Sequence, residues 1–223
     1  MKINKRLEII SHYVEKNSNV IDVGCDHAKL SIYLVLNNVS KNLIASDINE
    51  KPLEQARKNI RLYNLDNYIN IRLGDGISTM DENIDTIIIS GMGGKNIVDI
   101  LNKDKDKLKK IKRIILSPNN NSQFIREFLD IINFKIVNEQ IVLENNKFYN
   151  IIVLERGNTR YSWLEILFGY NVLKDECYFK YCNYILQKYR NNLDKLPLKY
   201  INDRNNLKKY INYYENELKL NKK

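Results

Sequence analysis

One short stretch of the chain, residues 19–30, most restricts what this sequence can fold into. It begins with the β-branched run at 20–23, passes through Gly24 and continues as an apolar helical pattern from about His27. A short apolar run followed by a glycine and a helix is typical of a strand–turn–helix unit, and such units collect ligand-binding groups where the strand ends. The sequence therefore predicts an open α/β sheet whose first strand ends at a ligand site.

The residues of this turn indicate the kind of ligand. A dinucleotide site has a Gly-x-Gly-x-x-Gly turn that leaves the helix N-terminus open to a pyrophosphate. Here Asp26 stands at the position of the second glycine, and its carboxylate would repel a pyrophosphate. The same carboxylate suits a cofactor that has cationic groups and no phosphate, such as S-adenosylmethionine with its sulfonium and ammonium. We therefore expect a methyl-donor site, which argues against an oxidoreductase.

Strand and helix patterns alternate along the chain as far as residue 157. The expected strands are 20–23, 42–46, 68–73, 85–90, 113–116, 134–143 and 148–154, and the expected helices are 4–17, 27–36, 52–63, 94–101 and 124–132. Residues 103–112 resemble a charged, solvated stretch. The last two strands have no helix between them, and Asn145-Asn146 predicts a hairpin turn there. This order predicts an α/β doubly wound sheet with an antiparallel strand at one end.

The pattern changes after Gly157. Apolar residues then recur at steps of three and four in two series, 182–196 and 207–218, and Pro197 lies between them. Two helices with such stripes and a turn between them form an antiparallel coiled-coil hairpin. An earlier helix, residues 163–170, could dock this hairpin on the sheet. We expect a cofactor-binding domain at 1–157 and a helical coiled-coil domain at 158–223.

The positive charge is concentrated in this C-terminal part. Residues 156–223 contain 14 Lys and Arg against 7 Asp and Glu, whereas residues 1–155 contain 22 against 20. A basic segment of this kind predicts a polyanionic partner such as a nucleic acid. A lysine-rich genome could also raise the lysine content, but it should have affected both parts alike.

Several classes of protein are disfavoured by what the sequence lacks. No apolar run approaches the roughly 20 residues of a membrane helix, and the N-terminus lacks the apolar core of a signal peptide. The three cysteines form no C-x-x-C pair and there are only two histidines, so we expect no zinc site. We therefore expect a cytoplasmic protein with reduced cysteines, no metal and no membrane partner. We also expect a monomer.

Six of the eight glycines directly follow predicted strands 1, 3 and 4, which leaves bare backbone at one edge of the sheet. Three acids accompany them. Asp22 could reach the ammonium of the cofactor or brace the turn. Asp47 follows the second strand, where nucleotide-binding folds place an acid for the ribose hydroxyls. Asp75 could accept a hydrogen bond from the adenine amino group or serve as a simple turn residue.

The acceptor should meet the methyl donor beside two further loops. The run Gly91-Met92-Gly93-Gly94 lines the floor where the two meet, and Pro118-Asn119 lies at the end of the next strand. Asparagine can pair with an adenine edge through two hydrogen bonds, although Pro-Asn is also a common turn. His27 could handle a proton, but its place at the start of a helix favours a capping or packing role.

These residues resemble the TrmK family, the bacterial tRNA (adenine-22-N1)-methyltransferases. The run 22–28 looks like the Asp-Ile-Gly-Ser-Asp-His-Ala motif of that family, and four further runs match in order: Lys5-Arg6-Leu7, Gly74-Asp75-Gly76, Gly91-Met92-Gly93-Gly94 and Pro118-Asn119. The resemblance implies a class I methyltransferase sheet with a C-terminal helical coiled coil. It further implies methyl transfer from S-adenosylmethionine to N1 of an adenine in the tRNA D-arm. Ser46-Asp47 replaces the usual Gly-Glu, and Ser117 replaces the usual Gln.

The combined prediction assigns residues to three roles. The cofactor should be bound by Asp22, Gly24, Cys25, Asp26, His27, Asp47, Ile48, Asp75, Gly76, Gly91 and Met92. Substrate should be bound by Arg6, Pro118 and Asn119, and Asp26 and Asn119 should take part in catalysis.

The chemistry needs little from the protein beyond alignment. Adenine N1 already has a lone pair, so no base is required, and Asp26 could stabilise the positive charge that methylation creates on the ring. The target edge is hidden in folded tRNA, so the base should turn out into the pocket. Two alternatives stay open: a methyltransferase with another acceptor, on RNA or elsewhere, and a catalytically silent RNA-binding protein of the same fold.

Overall fold

The structure is a computed structural model that describes residues 1–220 of the chain. Its helices are α1 (Lys5–His12), α2 (Lys29–Leu36), α3 (Glu50–Leu62), α4 (Gly94–Lys103), α5 (Ser122–Ile132), α6 (Trp163–Phe168), α7 (Glu176–Lys195) and α8 (Ile201–Leu220). Its strands are β1 (Asn19–Val23), β2 (Asn42–Asp47), β3 (Ile69–Leu73), β4 (Thr86–Ser90), β5 (Arg113–Ser117), β6 (Phe134–Glu144) and β7 (Lys147–Arg156). Two short 3₁₀ helices cover Gly76–Thr79 and Lys105–Lys110.

The strands form one seven-stranded sheet in the order β3-β2-β1-β4-β5-β7-β6. Strands β1 to β5 are parallel, and β7 runs antiparallel to both β5 and β6. The strand order reverses beside β1, because β2 and β3 lie on one side of it and β4 and β5 on the other. Open α/β sheets bind ligands outside the carboxyl ends of the strands at such a point. The predicted doubly wound sheet is confirmed.

Both faces of the sheet are covered by helices. Ile88 and Ile115 pack into a buried cluster with residues of α1, α2 and α3. Their neighbours Ile87, Ile89 and Ile114 point to the opposite face, into a cluster with residues of α4 and α5. Successive residues of a strand point to opposite faces, so a strand that is apolar throughout must be covered on both sides.

Helix α1 is shorter than predicted. It begins where the Asn4 side chain accepts a hydrogen bond from the Leu7 N–H at 2.9 Å, and it ends at His12 instead of near residue 17. Beyond His12 the N–H of Tyr13 and of Val14 donate to carbonyls only three residues back. This tightening of the backbone leads the chain out of the helix and towards β1.

Residues 103–112 are not simply a solvated stretch. Leu108 and Ile111 are buried against the core, at 2% and 0% exposure, and the residues around them form a 3₁₀ helix. The two apolar side chains are three residues apart, which is one turn of a 3₁₀ helix. These two buried side chains therefore attach the charged segment to the core.

The chain forms two compact units, one covering Met1–Asn171 and a second that begins at Val172. The sequence places the boundary after residue 157, whereas the structure groups residues 158–171 with the sheet. Two hydrogen bonds account for this difference: the Ile136 N–H donates to the Tyr161 hydroxyl at 2.8 Å, and Arg126 Nη1 donates to the Ile166 carbonyl at 2.9 Å.

The second unit contains the predicted helical pair. Tyr178, Cys182 and Leu186 are buried on α7, and Tyr214 is buried on α8. The Tyr178 hydroxyl donates to Glu217 Oε2 at 2.7 Å. This bond joins the start of α7 to the end of α8, as expected of antiparallel helices. Among residues 1–220, no helix combines the length and the apolar character that crossing a bilayer requires.

A buried ion pair fastens the first unit where α5, β6 and α6 meet. The guanidinium of Arg126 and the carboxylate of Glu139 are 1% and 0% exposed and form two hydrogen bonds. Glu139 also accepts from Asn150 Nδ2 at 3.0 Å and from the Tyr170 N–H at 3.2 Å. All the acceptor capacity of this carboxylate is therefore directed at neighbouring segments of the same unit.

We expect Glu139→Ala to lower the free energy of unfolding by about 3–5 kcal/mol, because it leaves the Arg126 charge buried without a partner. Urea denaturation followed by circular dichroism measures this loss. The control is Glu82→Ala, which removes an exposed partner of Lys110 and should leave the free energy of unfolding nearly unchanged, because exposed ion pairs contribute little to stability. Equal losses in the two variants would contradict the role of the buried pair.

Candidate active site

The turn after β1 is held tightly against the end of β2. The N–H groups of Gly24 and Cys25 both donate to the Ser46 carbonyl, at 2.8 and 3.0 Å. Gly24 has φ +70°, and Asp26 and Ala28 also adopt positive φ. L-residues rarely adopt this region of φ, and such strained residues cluster at ligand sites. Because of this turn, helix α2 begins at Lys29, two residues after its predicted start.

Two cavities flank this turn and share Gly24. The first, about 320 Å³, is lined by residues that include Arg6, Asp22, Asp26, His27 and Gly91. The second, about 440 Å³, is lined by residues that include Asp47, Ile48, Asp75, Gly76 and Met92. Cys25 also lines the first cavity, so all eleven residues predicted to bind the cofactor lie around one or the other. Pro118 and Asn119 line neither.

Met92 lies at the junction of the two cavities. Its ε-methyl would be only 2.4 Å from a Cβ atom on Gly24, so the bare glycine backbone is what makes room for this side chain. Gly94 is constrained more strictly, because a Cβ there would be 2.2 Å from the Asn121 carbonyl oxygen. The absence of a side chain at Gly94 thus permits close packing between the segment after β4 and the loop after β5.

Asp22 is the deepest charged group of the first cavity. Asp22 is only 3% exposed, and its Oδ2 atom accepts a hydrogen bond from Ser31 Oγ at 2.8 Å. The pKa of Asp22 is raised to about 6, chiefly because the carboxyl is buried; the Ser31 hydrogen bond opposes this rise and the charge of Asp47 adds to it. The carboxylate braces α2 through Ser31 and also lines the cavity, so its role at the ammonium of the cofactor stays a prediction.

The Cys25 thiol is not reactive in this setting. It is buried, and burial, followed by the charges of Asp22 and Asp47, raises its pKa well above the ordinary value. A thiol with a raised pKa is a poor nucleophile at neutral pH. Cys25 therefore contributes shape to the cavity wall.

Asp47 and Asp75 project from neighbouring strand ends into the second cavity. Asp47 Oδ1 accepts from the Asn49 N–H at 2.9 Å, which fixes the turn into α3. Asp75 Oδ2 accepts from Lys103 Nζ at 2.6 Å, and this contact raises the pKa of Lys103.

Two lysines that the sequence interpretation treated as solvated therefore support the second cavity. Besides the contact of Lys103 with Asp75, Lys107 Nζ donates to the carbonyls of Ile77 and Ser78, at 3.2 and 2.5 Å. Together they hold the 3₁₀ turn after β3. No periodicity distinguishes them from the other lysines of this segment, so sequence alone offered no signal for their role.

Asn119 serves as a brace between loops. Its Nδ2 donates to the Gly91 carbonyl at 2.6 Å, its backbone N–H donates to the Met92 carbonyl at 2.8 Å, and its Oδ1 accepts from Arg6 Nη1 at 3.4 Å. Both ends of the amide are engaged. Each end of the amide has one bond, so one N–H donor and one acceptor lone pair of Asn119 remain for an acceptor base.

His27 and Asp26 form a loose pair at the wall of the first cavity. His27 Nε2 lies 3.6 Å from Asp26 Oδ1, and the Asp26 side chain is 71% exposed. The Nδ1 atom of His27 is buried and has no hydrogen-bond partner in the described structure. The His27 carbonyl accepts from Asn59 Nδ2 at 2.9 Å, so its backbone ties the turn to α3.

The two serines at the positions where this chain departs from the family pattern, Ser46 and Ser117, are both fully buried. Their hydroxyl oxygens lack hydrogen-bond partners in the described structure, while their backbone carbonyls accept from the turns after β1 and β4. Within residues 1–220, no group of three or more His, Cys, Asp or Glu side chains could hold a metal ion.

We expect Asp22→Asn to stabilise the protein at neutral pH. The pKa of Asp22 is raised from 3.8 to about 6, so the folded protein holds this proton more tightly than the unfolded chain, and ionisation opposes folding. The stability gained over wild type should be small near pH 4 and grow through about pH 6 to roughly 2–3 kcal/mol. Urea unfolding over this pH range measures it, with the exposed Asp130→Asn as control. A gain independent of pH would contradict the assignment.

Comparison with known proteins identifies the family. A family model described as a methyltransferase domain matches residues 3–152. The tRNA (adenine(22)-N(1))-methyltransferase of Bacillus subtilis is 36% identical over 159 residues, which are 71% of this chain and 67% of the relative.

Solved structures agree over nearly the whole chain. A protein of the NADB-Rossmann superfamily from Streptococcus agalactiae has a TM-score of 0.91 at 34% identity, and the match covers 98% of each chain. TrmK of M. capricolum, solved with S-adenosyl-homocysteine, has a TM-score of 0.85 at 28% identity and covers 96% of this chain and 99% of its own. The chain belongs to the methyltransferase-domain family and, within it, to the tRNA (adenine(22)-N(1))-methyltransferases.

Proposed function

We propose that this protein transfers a methyl group from S-adenosylmethionine to N1 of adenine 22 in the D-arm of tRNA. The observation that carries the proposal is the pair of cavities that meet at Gly24, at the reversal point of the sheet, with a carboxylate at the end of each of three parallel strands. The relative from B. subtilis has this activity by name, and the relative from M. capricolum binds the product of the same cofactor.

The residues present fit this cofactor. It has an adenosine part and an amino-acid part joined by a sulfonium, and the two cavities offer two compartments on either side of a bare glycine backbone. Asp47 and Asp75 would accept hydrogen bonds from the ribose hydroxyls and the adenine amino group. Asp22 would face the ammonium, which restores a charge partner to a buried carboxylate. When bound, S-adenosylmethionine supplies an electrophilic methyl group.

Further features of the second cavity suit the adenosine part of the ligand. Asp75 has one carboxylate oxygen on Lys103, which leaves Oδ1 available for an adenine N–H. Ile48 and Leu73 are exposed apolar side chains at the ends of β2 and β3, at 63% and 55% exposure. Exposed apolar groups beside a cavity of this kind suit the faces of a purine ring.

The acceptor side relies on alignment and charge. Adenine N1 has a lone pair in the neutral base, so this protein needs no general base to create the nucleophile. Asp26 is an exposed carboxylate at the wall of the first cavity, where it would stabilise the positive charge that appears on the methylated ring. Asn119 and Pro118 hold the loop beside Gly91, so their part is to position the floor under the acceptor.

The helical pair of the second unit supplies positive charge for the RNA backbone. Its exposed basic side chains include Lys188, Lys195, Lys208 and Lys209. Contacts of lysine with phosphate contribute affinity that is independent of sequence and falls as salt rises. They position the RNA without reading its bases.

The remaining expectations belong to the same proposal. An enzyme that acts on tRNA works where tRNA is, in the cytoplasm. We also propose that it acts as a monomer, and that the residues needed for cofactor binding end near residue 157, although residues 158–171 pack with the sheet. Light scattering on the purified protein tests whether it is a monomer, and limited proteolysis tests the position of the boundary.

The decisive experiment uses unmodified tRNA transcripts and labelled S-adenosylmethionine, followed by nucleoside analysis. We expect 1-methyladenosine in a transcript with A22 and none in the matched transcript with G22, because guanine N1 carries a proton and lacks the lone pair. Label in the G22 transcript, or in a nucleoside other than 1-methyladenosine, would favour another acceptor. Binding of tRNA without any transfer, and without binding of the methyl donor, would favour a silent RNA-binding protein.

We expect Lys195→Gln, Lys208→Gln and Lys209→Gln together to weaken tRNA binding. Each lost phosphate contact should flatten the dependence of log affinity on log salt by about 0.7–0.9, and cofactor binding should stay unchanged. Filter binding at several salt concentrations measures both quantities. The control replaces three exposed lysines of the first unit, at positions 41, 105 and 112. An equal effect of the control triple would mean that net charge alone is responsible.

A further inference from the structure

The guanidinium of Arg6 has fewer hydrogen bonds than its chemistry demands. Arginine carries five N–H donors, and within the described structure only one of them, on Nη1, makes a side-chain hydrogen bond, to Asn119 Oδ1 at 3.4 Å. The Nε atom is buried without a hydrogen-bond partner, and its nearest carboxylate oxygen, Glu144 Oε2, is 4.0 Å away. The side chain is only 15% exposed, so water does little to satisfy it.

The surrounding residues hold this side chain in place without satisfying its donors. The guanidinium lies over the ring of Tyr149, 4.5 Å from the centroid, and the backbone N–H of Arg6 donates to Glu144 Oε1 at 3.1 Å. Stacking on an aromatic face fixes the plane of the guanidinium while its edges stay available. Tyr149 and Glu144 come from the hairpin of β6 and β7, which the sequence interpretation had not connected with the site.

Arg6 lines the same cavity as Asp22. That cavity therefore contains one buried anion and one poorly satisfied cation, which is the charge pattern complementary to the ammonium and carboxylate of an α-amino acid. We propose that Arg6 binds the carboxylate of the amino-acid end of the methyl donor while Asp22 binds its ammonium. This inference rests on the proposed function and assigns Arg6 to the cofactor, where the sequence had suggested the RNA substrate.

Two other basic residues line the cavity, Lys29 and His27, and neither is held in place as Arg6 is. Lys29 is exposed, and no contact in the described structure fixes its ammonium. His27 faces Asp26 at 3.6 Å. A planar guanidinium can form two parallel hydrogen bonds with a carboxylate, and a fixed guanidinium loses less freedom in doing so. A phosphate of the RNA backbone is a less suitable partner, because Arg6 is mostly covered and Lys5 beside it is the exposed cation of this helix turn.

The test compares two ligands by calorimetry on the full-length protein. One is S-adenosylhomocysteine, and the other is its decarboxylated analogue, which keeps the adenosine, the thioether and the ammonium. We expect wild type to prefer S-adenosylhomocysteine. Arg6→Met should weaken it by about 10- to 100-fold and leave the affinity for the decarboxylated analogue within about threefold, so that the preference disappears. Arg6→Lys, which keeps a cation without the fork, should lose an intermediate amount.

The matched control is Lys41→Met, which removes an exposed cation that lines neither cavity and should change neither affinity. Asp22→Asn should weaken both ligands alike, because both carry the ammonium. If Arg6→Met weakens both ligands equally, Arg6 only shapes the pocket and the inference is overturned. It is also overturned if neither affinity changes while the KM for tRNA rises, since the guanidinium then belongs to the RNA. Failure of wild type to bind S-adenosylhomocysteine would instead refute the proposed function itself.

Discussion

The structure of the site depends on a carboxylate placed where water cannot reach it. Asp22 belongs to a strand that is covered on both faces of the sheet, so its charge can be stabilised only by groups at the carboxyl end of that strand. The protein supplies one hydroxyl, from Ser31, and leaves the other side of the carboxylate to the cavity. A buried acid with an incomplete set of partners is costly for an empty protein and useful for one that binds a cation.

The turn around this acid carries a second cost of the same kind. Asp26 and Ala28 adopt positive φ although neither is glycine, and two N–H groups are directed at one carbonyl, that of Ser46. The absence of a side chain at Gly24 allows the backbone to form part of the cavity wall. Backbone strain and a buried charge thus occur within one short segment. Such unfavourable features are found most often where a protein binds a ligand.

The sequence was sufficient for those parts of the site that follow from strand order. Asp22, Asp47 and Asp75 each lie at or within two residues of the carboxyl end of a parallel strand. Parallel strands bring these ends to one edge, so the proximity of the three acids needed no knowledge of long-range contacts. Arg6 is different, because its partners Glu144 and Tyr149 are far away in sequence: Glu144 is 138 positions after Arg6. The end of α1, the lysines of the 103–112 segment and the amide of Asn119 likewise depend on neighbours from other elements, which periodicity does not reveal.

The unsatisfied groups of the first cavity have a thermodynamic consequence for the enzyme. The protein has a carboxylate whose ionisation opposes folding and a guanidinium with unused donors, and both lie in the cavity that we propose for the amino-acid end of the ligand. A zwitterionic ligand supplies the missing partner of each, so part of its binding free energy comes from groups that the fold left unsatisfied. Anything that binds only the folded state stabilises it in proportion to the logarithm of ligand concentration over Kd. Under the proposed placement, an analogue with the adenosine but without the amino acid would fill only the second cavity and leave Asp22 and Arg6 without their partners, so at equal occupancy it would lack the contribution that relieves the Asp22 penalty.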